Sequence, residues 1–161
     1  NIDILSICSP TRTHLEIVKD MVTINKPKAI FIEKPMGNNL SEAENISEIC
    51  KNNNIILAVN YMRRWDSFYQ ECKAIIESGE VGRIDSIVGY VDTALYMNSI
   101  HMLDMIIYFG GDAFSCVGHI DRLNEPRVVH GKEDYGGYAY IRHKNGITSF
   151  IKATGESRKN N

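Results

Sequence analysis

Two stretches hold the residues best suited to chemistry. Glu33, Lys34 and Pro35 close the apolar run Ala29–Ile32, and His101 stands three residues before Asp104 in a helical pattern. An acid and an amine at the carboxyl end of a strand occupy the place where open α/β sheets form their ligand crevices. His101 and Asp104 share a helix face, so the carboxylate could fix the imidazole's tautomer and raise its basicity for proton transfer. Two more polar clusters follow apolar runs: Ser9-Pro10-Thr11 with His14, and Asn60-Tyr61 with Arg63. Plainer roles exist for each. Glu33-Lys34-Pro35 also reads as a surface lysine before a turn proline, and His14 as an aid to helix capping. Asp104 also reads as an acid satisfied by the backbone, and Arg63-Arg64 as a solvated or interdomain ion-pair site. Trp65, Tyr61 and Phe68 suit junction packing, and Tyr90, Tyr96 and Tyr108 suit packing with locally bonded hydroxyls.

The elements that must place these groups follow from periodicity. Ile2–Cys8 predicts a strand, and Thr13–Ile24 a helix that Thr11 or Thr13 could cap. Ala29–Glu33 predicts a buried strand, since apolar residues run on without alternation before Pro35 removes a ladder donor. Proline also leaves a cis Lys34–Pro35 bond open. Ser41-Glu42-Ala43-Glu44 reads as a capping box for a helix with Ala43, Ile46, Ile49 and Cys50 on its apolar face. Ile55–Val59 predicts a third strand. Two βαβ units of this spacing imply a parallel sheet, which would deliver three of the polar clusters to one edge.

The pattern then changes. Ser67–Ser78 predicts a helix with Phe68, Cys72, Ile75 and Ile76 in register, closed by Gly79. Arg83–Asp92 predicts a strand. Ser99–Phe109 predicts a helix turning Ile100, Leu103, Ile106 and Ile107 inward, and Ala113–His119 a further strand. Asp121–Asp134 reads as a loop, and Gly137–His143 with Ile147–Thr154 as a hairpin about Asn145-Gly146. The polar tail 155–161 reads as frayed. The expected architecture is α/β: the C-terminal part of a Rossmann-like parallel sheet, then an α+β domain with a mixed or antiparallel sheet, both incomplete. The expected domains are 1–62 and 63–161.

Composition narrows the classes. The chain has 161 residues, 43% of them apolar, and a net charge of −2. It has no basic stripe for nucleic acid and no apolar run of membrane-spanning length. Cys8, Cys50, Cys72 and Cys116 stand far apart with no C-x-x-C, which predicts reduced, mostly buried thiols and no metal site. A cytoplasmic protein is expected.

With these residues in view, DILSICSPTRTH, IFIEKPMGNNLSEAENISEICKNNNIILAVNYMRR, IESGEVGRI and SIHMLD resemble the glucose–fructose oxidoreductase and inositol dehydrogenase (Gfo/Idh/MocA) family. The resemblance runs in unbroken order from about Ile2 to Asp112. It implies a Rossmann domain binding NAD or NADP, followed by an α/β domain whose open sheet shapes the substrate pocket and supports homo-oligomers. It further implies that Ser9, Pro10, Thr11, His14, Glu33, Lys34, Pro35, Asn60 and Arg63 serve the cofactor. Lys34, Tyr61, Asn98 and His101 would meet a carbohydrate-like substrate, with Lys34 and His101 catalytic and facing one crevice. Hydride would pass between the nicotinamide and a sugar or polyol hydroxyl. The alternative is a non-catalytic relative that senses a dinucleotide or sugar and binds a protein partner. An α/β binding module unrelated to redox is a third reading.

Two departures matter. The family's acid four residues before the histidine and glycine two before it are Met97 and Ser99 here, with Asn98 adjacent as a partial substitute. The family's opening strand, G-x-G-x-x-G turn and ribose-selecting residue do not occur in the chain, so it reads as an interior fragment in which hydride transfer unaided is not expected. A sheet missing its neighbour at Ile4–Cys8 should pair with another chain. Sedimentation of the concentrated chain should therefore show self-association, and a well-behaved monomer would contradict this.

Overall fold

The chain's first three strands run parallel and side by side. The computed structural model describes residues 2–123, 125–129 and 131–155, so the tail expectation beyond Gly155 lies outside the described residues. The backbone divides into two compact units, Asn1–Tyr61 and Met62–Asn161. In the first unit β1 (Ile4–Ile7), β2 (Ala29–Glu33) and β3 (Ile56–Asn60) form a sheet in that order. Ile4 lies level with Ala29, and Ala29 with Ile56. The crossovers are α1 (His14–Asn25), reached through a 3₁₀ turn at Thr11–Thr13, and α2 (Leu40–Asn52).

One face of this sheet supplies the core. Ile7, Ile30 and Ile32 are buried with Val18, Ile46 and Cys50, and Leu5, Leu57 and Val59 pack against them. Each fully buried isoleucine or valine among them contributes roughly 1.5–3 kcal/mol. The unbroken apolar runs suggested burial on both faces, but Ile4 and Ile56 on the opposite face are 69% and 72% exposed. The Lys34–Pro35 bond is cis.

The second unit begins with a 3₁₀ turn at Met62–Trp65 and α3 (Ser67–Ser78), which ends on Gly79 in the left-handed region at φ 78°. A four-stranded sheet follows from β4 (Ser86–Val91), β5 (Ala113–Asp121), β8 (Gly136–His143) and β9 (Thr148–Ala153), in the order β4-β9-β8-β5. β4 and β9 are parallel, and the other pairs antiparallel. Helix α4 (Ser99–Gly110) packs Met102 and Ile106 against Ile87, Ile141 and Ile151. It lies so close that a Cβ at Gly89 would come within 2.7 Å of Met102 Cγ.

Several local expectations are corrected. The α2 cap is Asn39, not Ser41: its side chain accepts from Glu42 N at 2.9 Å, and Glu42 Oε2 accepts from Asn38 N at 2.8 Å. Neither Thr11 nor Thr13 caps α1 through its side chain; Thr13 Oγ1 donates to Pro10 O. Segment 121–134 is not a plain loop, because β6 (Arg127–Val129) and β7 (Lys132–Asp134) pair as a hairpin. Leu103 is 39% exposed, since the buried stripe of α4 runs through Ser99, Met105, Ile106 and Gly110. No residue of α3 is buried, and Phe68, Trp65 and Tyr90 are exposed. All four cysteines are free, but only Cys50 is buried, and Cys8 and Cys116 are exposed.

The reassigned cap is open to measurement. Glu42→Ala should cost about 1 kcal/mol by urea denaturation, whereas Glu44→Ala should stay within a few tenths.

Candidate active site

In the first unit, parallel pairing brings all three chain exits to one sheet edge. After β1 come Ser9, Pro10 and Thr11; after β2, Lys34 and Pro35; after β3, Tyr61. Glu33 and Asn60 are register partners at the last rung, and Asn60 Nδ2 donates to Glu33 Oε1 at 2.6 Å. Ser9 and Thr13 share a 2.7 Å hydroxyl bond. Because the single Thr13 hydroxyl proton goes to Pro10 O at 2.8 Å, Ser9 is the donor in that pair.

His14 lies deeper than expected. It is fully buried, with Nε2 2.9 Å from Ser9 O and Nδ1 3.2 Å from Met36 O. Both partners are carbonyls, so any nitrogen bonded there must donate. A ring with no exposed surface cannot line a cofactor wall, and it does not cap α1. Instead it ties the loop after β1 to the loop after β2. With the Glu33–Asn60 bond, all three exits are laced to one another.

Lys34 is half-buried at this edge. Desolvation pushes its ammonium below the ordinary lysine value of 10.5, and the negative charge of Glu33 works in the opposite direction. The edge therefore holds an amine that gives up its proton more readily than a surface lysine does. It sits beside a carboxylate, an amide and hydroxyls. These uncharged donors and one cation suit a neutral carboxamide and a hydroxyl-bearing ligand better than a polyanion.

The second unit carries the remaining candidates. His101 is half-buried in the first turn of α4, and Asn98 is exposed just before it, with Nδ2 3.5 Å from Thr93 Oγ1. The Asp104 carboxylate, expected beside His101 or on the backbone, accepts from Arg64 on both oxygens. Arg64 Nε lies 3.0 and 2.9 Å from them, and its Nη2 lies 2.8 Å from Oδ1. This ion pair sits within the second unit and is neither solvated on both sides nor interdomain. Asp104 is 9% exposed, while Arg64 also covers the ring of Tyr108 at 5.1 Å. Arg63 is half-buried in the 3₁₀ turn beside it. Sequence reasoning missed Asp134, whose buried carboxylate accepts from the backbone of Tyr96 and Met97. A carboxylate serving distant main-chain amides leaves no motif, and only the tertiary fold reveals it.

An open parallel sheet with polar groups at its carboxyl edge, followed by a helix-backed mixed sheet, defines an α/β protein of two units. The profile of an oxidoreductase family's NAD-binding Rossmann fold matches residues 1–61, and that of the same family's C-terminal alpha/beta domain matches residues 92–161. The chain belongs to the Gfo/Idh/MocA oxidoreductase family. Among curated relatives, scyllo-inositol 2-dehydrogenase (NAD(+)) of Bacillus subtilis is 29% identical over 95% of this chain and 48% of its own length. Among solved structures, myo-inositol 2-dehydrogenase of Lactobacillus plantarum is 26% identical, with a TM-score of 0.73 over 96% of this chain and 52% of that one. The WlbA dehydrogenase of Bordetella pertussis, solved with NADH and UDP-GlcNAcA, has a TM-score of 0.83 at 20% identity, covering 99% of this chain and 50% of its own. The chain spans about half the length of each. Among the described residues, no helix is long and apolar enough to cross a membrane.

The state of Lys34 can be read by NMR titration of its side chain. Its midpoint should fall below 10.5, and Glu33→Gln should move it lower still by removing an opposing influence. A midpoint at or above the ordinary value would contradict the desolvated setting.

Proposed function

We propose that the natural protein is a dehydrogenase that moves hydride between a nicotinamide dinucleotide and a secondary hydroxyl of a sugar, polyol or sugar derivative. The observation that carries this reading is the desolvated Lys34 at a sheet edge laced by the Glu33–Asn60 bond. The relatives' names agree in kind: two act on inositols, and a third was solved with NADH and a nucleotide sugar acid.

Roles follow from residue chemistry. Ser9, Thr11 and Asn60 offer hydroxyl and amide groups to the cofactor's nicotinamide end, with Pro10 and Pro35 as apolar wall and Arg63 as a further donor. The nicotinamide, when bound, supplies the redox step. Lys34 donates to the substrate oxygen and favours negative charge developing there, which matters most where water is partly excluded. His101, as neutral imidazole, takes the hydroxyl proton, a service typically contributing about 10²–10⁴-fold. Tyr61 and Asn98 offer hydrogen bonds to neighbouring hydroxyls. Glu33 holds Asn60 and keeps Lys34 from losing its proton too readily.

Homo-oligomerisation belongs to the same proposal. On the sheet face away from α4, exposed Val88, Tyr90, Tyr138, Tyr140 and Val117 form an apolar, aromatic band in which Tyr138 stacks on Phe150 at 6.2 Å. A band of this kind on an open sheet suits a second copy.

Met97, standing where the family has an acid, favours a second reading, a relative that binds dinucleotide without turnover. One assay separates them. The natural protein, given NAD or NADP and a panel of sugars and polyols, should show substrate-dependent appearance of reduced nicotinamide. Lys34→Met and His101→Ala should each lower kcat by about 10²-fold or more. Tight dinucleotide binding with no turnover across the panel would establish the sensor instead.

A further inference from the structure

Helix α4 starts without a side-chain cap: Asn98 occupies the cap position and bonds none of the first-turn amides. The donors just upstream are instead met from elsewhere in the chain. Asp134, at the end of β7, is 4% exposed, and its Oδ1 accepts from Tyr96 N at 2.7 Å. Its Oδ2 accepts from Met97 N at 3.0 Å. Both oxygens thus take consecutive main-chain N–H groups, short charge-assisted bonds that fix peptide planes as well as distance. The next residue reinforces the grip, because Leu95 N donates to Tyr135 O at 2.9 Å. On the helix side, Ser99 Oγ donates to Ala94 O at 2.8 Å. His101 follows at once, its N–H on Asn98 O at 3.1 Å.

We propose that Asp134 is the positioning residue for His101: its carboxylate, delivered by the β6–β7 hairpin, holds the turn 95–98 and so sets where the imidazole is presented. A long-range carboxylate thus stands on the amide of Met97, four residues before His101. The charge also lies at the end of α4 that attracts anions. Asp134 touches no substrate and acts only through the turn. The proposal rests on His101 being the proton acceptor for its kinetic consequence, but not for its structural one.

The test uses the natural protein with Asp134→Asn and Asp134→Ala. Asn keeps the size of the side chain and one acceptor oxygen, so it carries the test if the alanine variant fails to fold. The expected kcat order is wild type, then Asn, then Ala, with a loss of about tenfold or more for Ala and a dinucleotide KM within about twofold of wild type. The His101 imidazole resonance, assigned with His101→Asn, should shift or broaden in the same order, and hydrogen exchange at the Tyr96 and Met97 amides should quicken. Wild-type resonances and exchange in Asp134→Ala would overturn the proposal, as would a kcat loss matched by the same rise in dinucleotide KM. If His101→Asn leaves turnover unchanged, the catalytic reading fails while the resonance and exchange data still decide the positioning.

Discussion

Parallel pairing is the constraint on which the first unit depends. Strands that run the same way must each leave the sheet at the same end, and the chain must cross back before it can add another. β1, β2 and β3 therefore release Ser9-Pro10-Thr11, Lys34-Pro35 and Tyr61 along one edge, however far apart these lie in the chain. Pairing alone does not hold such loops still. Here the edge is tied crosswise: His14 links the exits of β1 and β2, and Asn60 links β3 to Glu33. His14 is fully buried, where a broken bond costs more than a surface one, while Glu33 and Asn60 are half-buried.

The second unit meets a similar problem by another route. Its sheet has one covered side and one open side, so alternate residues along β8 and β9 face α4 or solvent. Helix α4 lies close because glycine stands at 89, and its approach turn is fastened by Asp134. Asp104, lower on the same helix, is held through the Arg64 guanidinium. Two carboxylates thus anchor α4 at different points, one through backbone amides and one through a side-chain ion pair.

Much of this was legible in the residues. The αβ alternation of the first sixty positions, the bounds of β2 and α3 and the hairpin about Asn145-Gly146 all follow from periodicity and turn chemistry. The placing of Glu33 and Asn60 at two strand ends was legible, whereas their mutual hydrogen bond was not. What escaped was long-range or one step out of phase. Ser41 and Asn39 both precede a glutamate by three residues, and only the observed start of α2 chooses between them. Leu103 was turned inward because the apolar stripe of α4 is broad, and its buried centre passes through Ser99, Met105, Ile106 and Gly110 rather than through Leu103. His14 was read as a capping aid or a cofactor-side residue because nothing local shows the carbonyls of Ser9 and Met36 closing on it.

The grip of Asp134 falls on peptide amides, which every residue but proline possesses. Replacing Tyr96 or Met97 by any residue but proline thus leaves both main-chain donors to Asp134 in place. Fastening of this kind separates the placement of a helix from the identity of the residues leading into it.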